Sequence, residues 1–230
     1  MADVVVSDPA SELVELVRGL GDPAPSDAPK AARSSAELIR RRFGLALPPP
    51  FAGRVDQDEP VRPATALDGP AIASVKWRCF GSNYRGVMPD GFLDSRDVVP
   101  PPSYWTGRAM VPPSRRHGLF VWGRRGVVHG YVDCGPSKFG DLSDPVGEVF
   151  ELYVDPTSQG AGGGLRLLAE AETFLAEVGF ERLELSVLDR NAAARAFYER
   201  NGWQDSGLTV DVDLGVVAFT ERRLDKLPVH

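Results

Sequence analysis

The feature that most constrains this chain is a run of glycines directly before an amphipathic segment. The stretch "SQGAGGGLRLL" covers residues 158–168, and four of its first seven residues are glycine. Apolar residues then recur at helical spacing and predict a helix over 164–178. The first turn of a helix carries unpaired N–H groups and a positive dipole end, and glycine lets an anion approach that backbone. The stretch therefore predicts either a tight turn or a backbone cradle for phosphate.

Two common phosphate-binding patterns do not fit these glycines. A Walker loop ends in Gly-Lys-Ser/Thr, and the absence of lysine here argues against a nucleotide phosphotransferase. A dinucleotide-binding loop needs G-x-G-x-x-G inside an early βαβ unit, whereas a strand-rich region precedes this loop. The glycines by themselves leave the turn and the cradle as open alternatives.

The order of predicted elements indicates a mixed α/β fold. A short strand in "EPVRPAT" and a helix in "ALDGPAIASVKWRCFGSNY" come first. A loop leading into a short helix, "YRGVMPDGFLD", and a proline-broken region over 98–117 follow. The segments "LFVWG" and "VVHGYVDCG" then predict a hairpin, and "VGEVFELYV" predicts the next strand. Beyond the glycine stretch come a strand "RLELSVL", a helix "NAAARAFYERNG" and terminal strands "WQDSG" and "GVVAFTERRL". We expect a mostly antiparallel central sheet with flanking helices.

Residues 1–58 differ in composition from the rest of the chain. The segments "GDPAPSDAP" and "LPPP" are punctuated by proline, and two short helical patterns lie in "SELVELVRGL" and "SSAELIRRRFG". The sequence predicts an N-terminal extension with two short helices over 1–58 and one folded domain over 59–230. A loosely ordered tail accounts for the first segment equally well.

The composition is that of an ordinary globular protein, with 43% hydrophobic and 25% charged residues and a formal charge of −6. Proteins that bind nucleic acid usually carry a basic surface, so no nucleic-acid partner is expected. Cys79 and Cys134 have neither metal-ligand nor redox spacing and predict free thiols in a reducing compartment. The chain shows no secretory signal pattern and no segment long enough to span a membrane. We expect a cytoplasmic protein without membrane contact.

Two motifs in a fixed order decide between the turn and the cradle. Gln159, Gly162 and Gly164 fit the pattern Gln/Arg-x-x-Gly-x-Gly/Ala. The segment "NAAARAFYERNGW" at 191–203 fits N-x-x-A-x-x-F-Y-x-x-x-G-F/W. In this order and at this spacing the two motifs resemble those of the GCN5-related N-acetyltransferase (GNAT) family, most strongly over 146–205. The resemblance implies a mixed α/β sheet in which two parallel strands, "VGEVFELYV" and "RLELSVL", splay apart.

The resemblance also implies acetyl-CoA as acyl donor, bound between the splayed strands. The backbone of the first splayed strand is expected to bind the pantetheine arm, and the glycine loop the pyrophosphate. Gly160 and Ala161 stand where relatives often carry a basic residue, so backbone amides are expected to hold the phosphate charge. Asn191 also suits the N-cap of the next helix. No metal is expected. The implied cofactor-binding residues are Leu152, Tyr153, Val154, Gln159, Gly160, Ala161, Gly162, Gly163, Gly164, Leu165 and Asn191.

For catalysis, the resemblance assigns Tyr198 to protonation of the departing CoA thiolate, a task for a weak acid. Two glutamates on the first splayed strand are candidates for accepting the proton of the amine. Strand alternation places Glu148 and Glu151 on opposite faces, unless a bulge changes the parity. Glu148 matches a glutamate that acts as base in some relatives and is preferred, with Glu151 second. Many relatives have no dedicated base and use a chain of water molecules, and the sequence leaves that alternative open. His117 and His129 lack a partner motif and are more typical of structural residues.

The acceptor is implied to be a small-molecule or peptide amine that attacks the thioester directly. Its expected contacts are Tyr84, Arg85, Tyr104 and Trp105, whose aromatic rings suit an apolar or cationic group. Neither cysteine has the histidine partner that an acyl-carrying nucleophile needs. A second hypothesis is an acetyl-CoA-binding regulatory module without catalysis. The oligomeric state is left open, a homodimer included.

Overall fold

The structure is a computed structural model that describes residues 59–86, 90–94, 99–138, 146–213 and 218–227. The extension predicted over 1–58, with its two short helices, lies outside these ranges. Within the described ranges, no helix is both long and apolar enough to cross a membrane.

Strands and helices follow one another nearly as the sequence predicts. In chain order the elements are β1 (Val61–Pro63), a 3₁₀ turn (Ala66–Asp68), α1 (Gly69–Asn83), α2 (Asp90–Leu93), α3 (Pro102–Met110), β2 (Gly118–Trp122), β3 (Gly130–Pro136), β4 (Val146–Val154), a second 3₁₀ turn (Pro156–Ser158), α4 (Gly163–Glu177), β5 (Arg182–Leu188), α5 (Ala192–Arg200), β6 (Gln204–Asp213) and β7 (Ala218–Lys226). Helix α4 lies within one residue of the predicted bounds.

The strands of the described ranges form one seven-stranded sheet in the order β1-β2-β3-β4-β5-β7-β6. Neighbouring strands are antiparallel except for β4 and β5, which are parallel. The parallel pairing runs from Val146–Arg182 to Val149–Leu185, and β4 then continues to Val154 with no β5 residue opposite. The predicted mixed, mostly antiparallel sheet with a splayed parallel pair is confirmed.

Each face of the sheet is covered by helices. On one face, the buried side of α4 packs Leu167, Leu168 and Leu175 against β2, β3 and β5. On the other face, α1 and α3 pack Ile72 and Trp105 into a second apolar cluster. Each fully buried leucine contributes roughly 1.5–3 kcal/mol, so these helices hold the sheet rigidly between them. The splayed strands consequently open into a fixed gap.

The region over 98–117 contains a helix where the sequence predicted only proline breaks. Helix α3 begins at Pro102, and proline is tolerated there because the first helical N–H needs no partner. The helix ends at Met110, just ahead of the next pair of prolines. The prolines therefore delimit a short helix that buries Trp105 and Arg108 against the sheet.

Strand β4 contains a bulge. Asp133 of β3 pairs with Glu151 while the next residue, Cys134, pairs with Val149, so Phe150 is the extra residue. Val149 and Leu152 both pack into the cluster under α4 in spite of their odd spacing. Glu148 and Glu151 therefore share the opposite face. Simple alternation would place them on opposite sides, and the bulge named as the exception to it is present.

Candidate active site

A cavity of about 170 Å³ occupies the gap between β4 and β5. Residues of β4, β5, α5, β7 and the end of α1 line it: Tyr84, Val149, Phe150, Glu151, Leu152, Tyr153, Ser186, Val187, Leu188, Asn191, Ala194, Tyr198 and Glu221. The fold thus brings together six residues that the sequence predicted for the site, namely Tyr84, Glu151, Leu152, Tyr153, Asn191 and Tyr198. Its lining includes residues from both faces of the sheet.

Tyr198 reaches the cavity from α5. The residue is 8% exposed and packs between Phe197 and Trp203, with ring centroids 5.2 and 6.2 Å away. Burial raises the pKa of Tyr198 to about 12. Its phenol therefore stays protonated at neutral pH and is able to donate a proton.

Asn191 fixes where α5 begins. Its side-chain oxygen accepts a hydrogen bond of 3.0 Å from the Ala194 backbone N–H, so the helix-cap role is present in the structure. The same residue lines the cavity. The cap thereby sets the angle at which α5 presents Tyr198.

On the opposite side of the cavity, Glu151 is held by two partners. Its Oε2 accepts a hydrogen bond of 2.6 Å from the Tyr131 hydroxyl, and its Oε1 accepts one from the Lys76 ammonium. The Lys76 side chain is 8% exposed and the Glu151 side chain 14% exposed. These two hydrogen bonds join α1 and β3 to β4, just after the bulge, where Glu151 lines the gap.

Sequence reasoning missed Lys76 and Tyr131. Lys76 lies four residues from Ile72 and from Phe80 on the buried face of α1. A charged residue on an apolar helix face is a signal of a buried partner. The partner itself is brought there by the sheet and not by local sequence.

Glu148 is absent from the cavity lining. It pairs in register with Glu184 of β5, where the strands are still joined, and it is 5% exposed. Its carboxylate accepts a hydrogen bond of 3.0 Å from the Lys138 backbone N–H. Burial raises the pKa of Glu148, and the positive charge of Lys138 opposes that rise. Glu148 is therefore a buried carboxyl next to the gap and not within it.

A second buried ion pair lies on the same face. Arg108 of α3 contacts Asp133 of β3 at 2.5 Å. Burial raises the pKa of Asp133 to about 6, although Arg108 opposes that rise. Nearby, burial and the charge of Arg108 lower the pKa of His117 to about 4. Sequence reasoning did not single out Arg108 or Asp133.

The glycine loop presents an open helix start. Gly160 and Gly162 adopt φ of +80° and +83°, which side chains of L-residues rarely do. Gly162 is the N-cap of α4, and among the described residues no side chain caps this end. The Gln159 side chain donates a hydrogen bond of 3.2 Å to the Val154 carbonyl, which holds the loop against the end of β4. The uncapped amides and the dipole of α4 suit an anion such as a phosphate.

The other residues predicted to contact an acceptor lie elsewhere. Arg85 forms ion pairs with Asp90, at 2.8 Å, and with Asp94. Trp105 is 1% exposed and packs its ring 5.1 Å from that of Tyr131. Neither these two nor the half-buried Tyr104 lines the cavity. Their role in acceptor binding stays a prediction.

Comparisons with known proteins agree with this geometry. Residues 84–203 match the family model of the acetyltransferase (GNAT) family. An uncharacterized N-acetyltransferase of Bacillus subtilis, YuaI, is 27% identical over 140 residues, which cover 60% of this chain and 76% of that protein. The mycothiol acetyltransferase of Amycolatopsis mediterranei is 36% identical over 91 residues, which cover 37% of this chain and 30% of that protein. The chain thus corresponds to less than a third of that longer relative.

The fold has solved counterparts. The PaiA N-acetyltransferase of Thermoplasma acidophilum, in complex with coenzyme A, superposes with a TM-score of 0.58 at 17% identity. The superposition covers 73% of this chain and 98% of that one. Fold and cavity define an acetyltransferase-type α/β domain. The family match spans more than half of the chain, and the chain belongs to the GNAT acetyltransferase family.

Proposed function

We propose that this protein is an N-acetyltransferase that moves an acetyl group from acetyl-CoA to an amine by direct attack. The observation that carries the proposal is that Tyr198 and Glu151 line one cavity from opposite faces of the sheet. A proton donor and a proton acceptor are thus placed on either side of the gap between β4 and β5. Transfer of an acyl group from sulfur to nitrogen takes a proton from the amine and gives one to the sulfur, and side chains in these positions would assist both steps.

The glycine loop and β4 fit the donor. Bound acetyl-CoA supplies an activated acetyl thioester. The uncapped amides at the start of α4, together with Gly160 and Gly162, are suited to its pyrophosphate. Strand β4 beyond Val149 has no β5 partner, so its edge at Leu152 and Tyr153 borders the gap and suits an extended pantetheine arm. The complex of the Thermoplasma PaiA acetyltransferase with coenzyme A supports this assignment by likeness of fold.

Tyr198 is the proton donor. As the C–S bond breaks, the leaving sulfur takes up the phenolic proton of Tyr198. The raised pKa keeps the phenol protonated at neutral pH, so its proton is available as negative charge develops on the sulfur, and the proton released by the amine restores the balance. A dedicated acid near the sulfur would have no purpose in a module that only binds acetyl-CoA, which favours the enzyme over that alternative.

Glu151 is the proton acceptor. The attacking amine loses one proton as its C–N bond forms, and the carboxylate of Glu151 lines the same cavity across from Tyr198. The ammonium of Lys76 and the hydroxyl of Tyr131 hold that carboxylate in place. Geometry thereby favours Glu151 over Glu148, the residue preferred from the resemblance, because Glu148 lies outside the cavity.

The test combines binding and turnover. Affinity for acetyl-CoA is measured by calorimetry, and release of free CoA is followed with a panel of small amines and peptide N-termini, for wild type and Tyr198→Phe. We expect acetyl-CoA binding in both proteins and amine-dependent turnover that falls roughly 100-fold in the variant. Binding without turnover on any acceptor would favour the regulatory module. No binding of acetyl-CoA would refute both.

A further inference from the structure

His129 joins two other buried residues, Ser158 and Glu59, and the proposed chemistry uses none of the three. The ring nitrogen Nδ1 lies 3.2 Å from the Ser158 hydroxyl, and Nε2 lies 3.1 Å from a carboxylate oxygen of Glu59. Exposure is 1% for His129, 2% for Ser158 and 8% for Glu59. A carboxylate only accepts, so Nε2 donates to Glu59, and in a neutral ring Nδ1 accepts from the Ser158 hydroxyl.

The order serine, histidine, carboxylate has the connectivity of an activated nucleophile. The burial of Ser158 argues against that role because a substrate carbonyl has no access to its hydroxyl. Ser158 is also absent from the lining of the cavity between β4 and β5. The hydrogen bonds that link Ser158, His129 and Glu59 must therefore act on the backbone segment that contains Ser158.

Ser158 ends the 3₁₀ turn that leads into the glycine loop. The backbone of His129 holds the start of the same turn, since its carbonyl accepts a hydrogen bond of 2.8 Å from the Asp155 N–H. One histidine thus fixes both ends of the turn, by its backbone at residue 155 and by its ring at residue 158.

Trp122 holds the far end of the loop. Its ring centroid lies 5.2 Å from that of His129. A methyl group added to Gly163, the first residue of α4, would lie 2.0 Å from an atom of the Trp122 ring. The backbone of α4 therefore rests directly on Trp122. Ser158 and Gly163, which flank residues 159–162, are supported by two neighbouring side chains.

We propose that His129 and Trp122 form a buried support that sets the separation of the two ends of the loop 159–162. Gly160 and Gly162 have no side chains to restrict the backbone of this loop, so fixed ends limit the positions that its amides adopt. His129 is a positioning residue for the cofactor phosphates, acting through Ser158. The effect on cofactor binding rests on the proposed function. The support itself rests on the contacts of His129 and Trp122 with the ends of the loop.

The test compares Ser158→Ala with Ser206→Ala, which removes an exposed hydroxyl on β6. Binding of CoA is measured by calorimetry, and amide hydrogen exchange of residues 159–165 is followed in the ligand-free proteins. In Ser158→Ala we expect CoA to bind about tenfold more weakly and those amides to exchange faster, with kcat unchanged at saturating acetyl-CoA. Ser206→Ala should match wild type in each measurement.

Two further variants separate the contacts of the ring. Asparagine at position 129 places a polar atom near that of Nδ1, and glutamine places one near that of Nε2. His129→Asn should retain more CoA affinity than His129→Gln, since only the former is able to reach Ser158. Unchanged exchange at residues 159–165 in Ser158→Ala would overturn the support, whatever the affinity. Faster exchange in that variant, with no CoA binding by wild type, would keep the support and refute the proposed function.

Discussion

The hydroxyl of Tyr131 donates a hydrogen bond of 2.6 Å to the carboxylate of Glu151 across neighbouring strands. Tyr131 lies on β3 and Glu151 follows the bulge of β4, so the contact exists only because the bulge turns Glu151 toward that face. Tyr131 is fully buried, and its ring packs against those of Trp105 and Tyr153. The contact fixes the carboxylate at the rim of the gap where an amine would approach.

The assignment of Glu151 predicts a clear difference between two isosteric variants. Glu151→Gln keeps the shape and still accepts from Tyr131, but an amide cannot take up a proton. We expect kcat to fall roughly 100-fold with unchanged affinity for acetyl-CoA. In Glu148→Gln, kcat should fall far less, because Glu148 lies outside the cavity.

Steady-state kinetics at saturating acetyl-CoA check this difference. Glu177→Gln, on the exposed side of α4, is the control and should behave as wild type. An equal or larger loss in Glu148→Gln would assign the base to Glu148 instead.

The close contact of Gly163 with Trp122 predicts that even alanine is too large at position 163. Its Cβ would lie 2.0 Å from the Trp122 ring, which is fully buried and cannot move aside. We expect Gly163→Ala to lose roughly 1–3 kcal/mol of unfolding free energy and to raise KM for acetyl-CoA. Urea unfolding and steady-state kinetics measure the two effects.

Gly81→Ala is the matched control for that substitution. Gly81 lies within α1, and a Cβ there meets no atom within 4 Å. Alanine favours a helix interior over glycine, so this variant should be slightly more stable than wild type. Equal stability of the two variants would contradict the close contact.

The ion pair of Arg78 with Asp155 ties α1 to the end of β4. Arg78 Nε lies 2.6 Å from Asp155 Oδ2, and the Asp155 side chain is 3% exposed. Asp155→Ala leaves the Arg78 charge without its partner and also removes the hydrogen bonds from Thr157 that cap the second 3₁₀ turn, so it should cost about 3 kcal/mol of unfolding free energy. Asp90→Ala breaks the exposed pair with Arg85 and should leave the urea midpoint unchanged. Similar shifts of the urea midpoint in both variants would show that the Arg78–Asp155 pair stabilises the fold no more than an exposed ion pair does.

His117 predicts a pH dependence of stability. Burial and the charge of Arg108 lower its pKa in the folded protein from 6.5 to about 4. Between these values the unfolded chain binds a proton that the folded protein does not, so stability is lost as pH falls from 6.5 toward 4. In His117→Gln this contribution is gone, and the urea midpoint should fall less between pH 7 and about pH 4.5.

Asp133, whose pKa is raised to about 6 by burial, contributes with the opposite sign. Its contribution is present in both proteins and cancels in the comparison. An equal fall of the midpoint in wild type and His117→Gln would show that His117 titrates normally.

Local patterns predicted much of the fold. The apolar spacing after the glycines set the bounds of α4 to within one residue because a helix is specified by its own turns. Alternating apolar runs predicted the central strands, yet β6 extends to Asp213, beyond the predicted "WQDSG". Its outer half is mostly exposed and is specified by pairing with β7, which no local pattern encodes.

The sequence by itself determined the family, the helix start that suits a phosphate and the tyrosine of α5, because these features are encoded within short stretches at fixed spacing. Tertiary structure alone decided which glutamate reaches the cavity, since the bulge at Phe150 depends on how β4 pairs with β3. It also decided that His129 and Trp122 support the glycine loop. Contacts between residues on different strands depend on how the whole sheet packs, and no local periodicity carries that information.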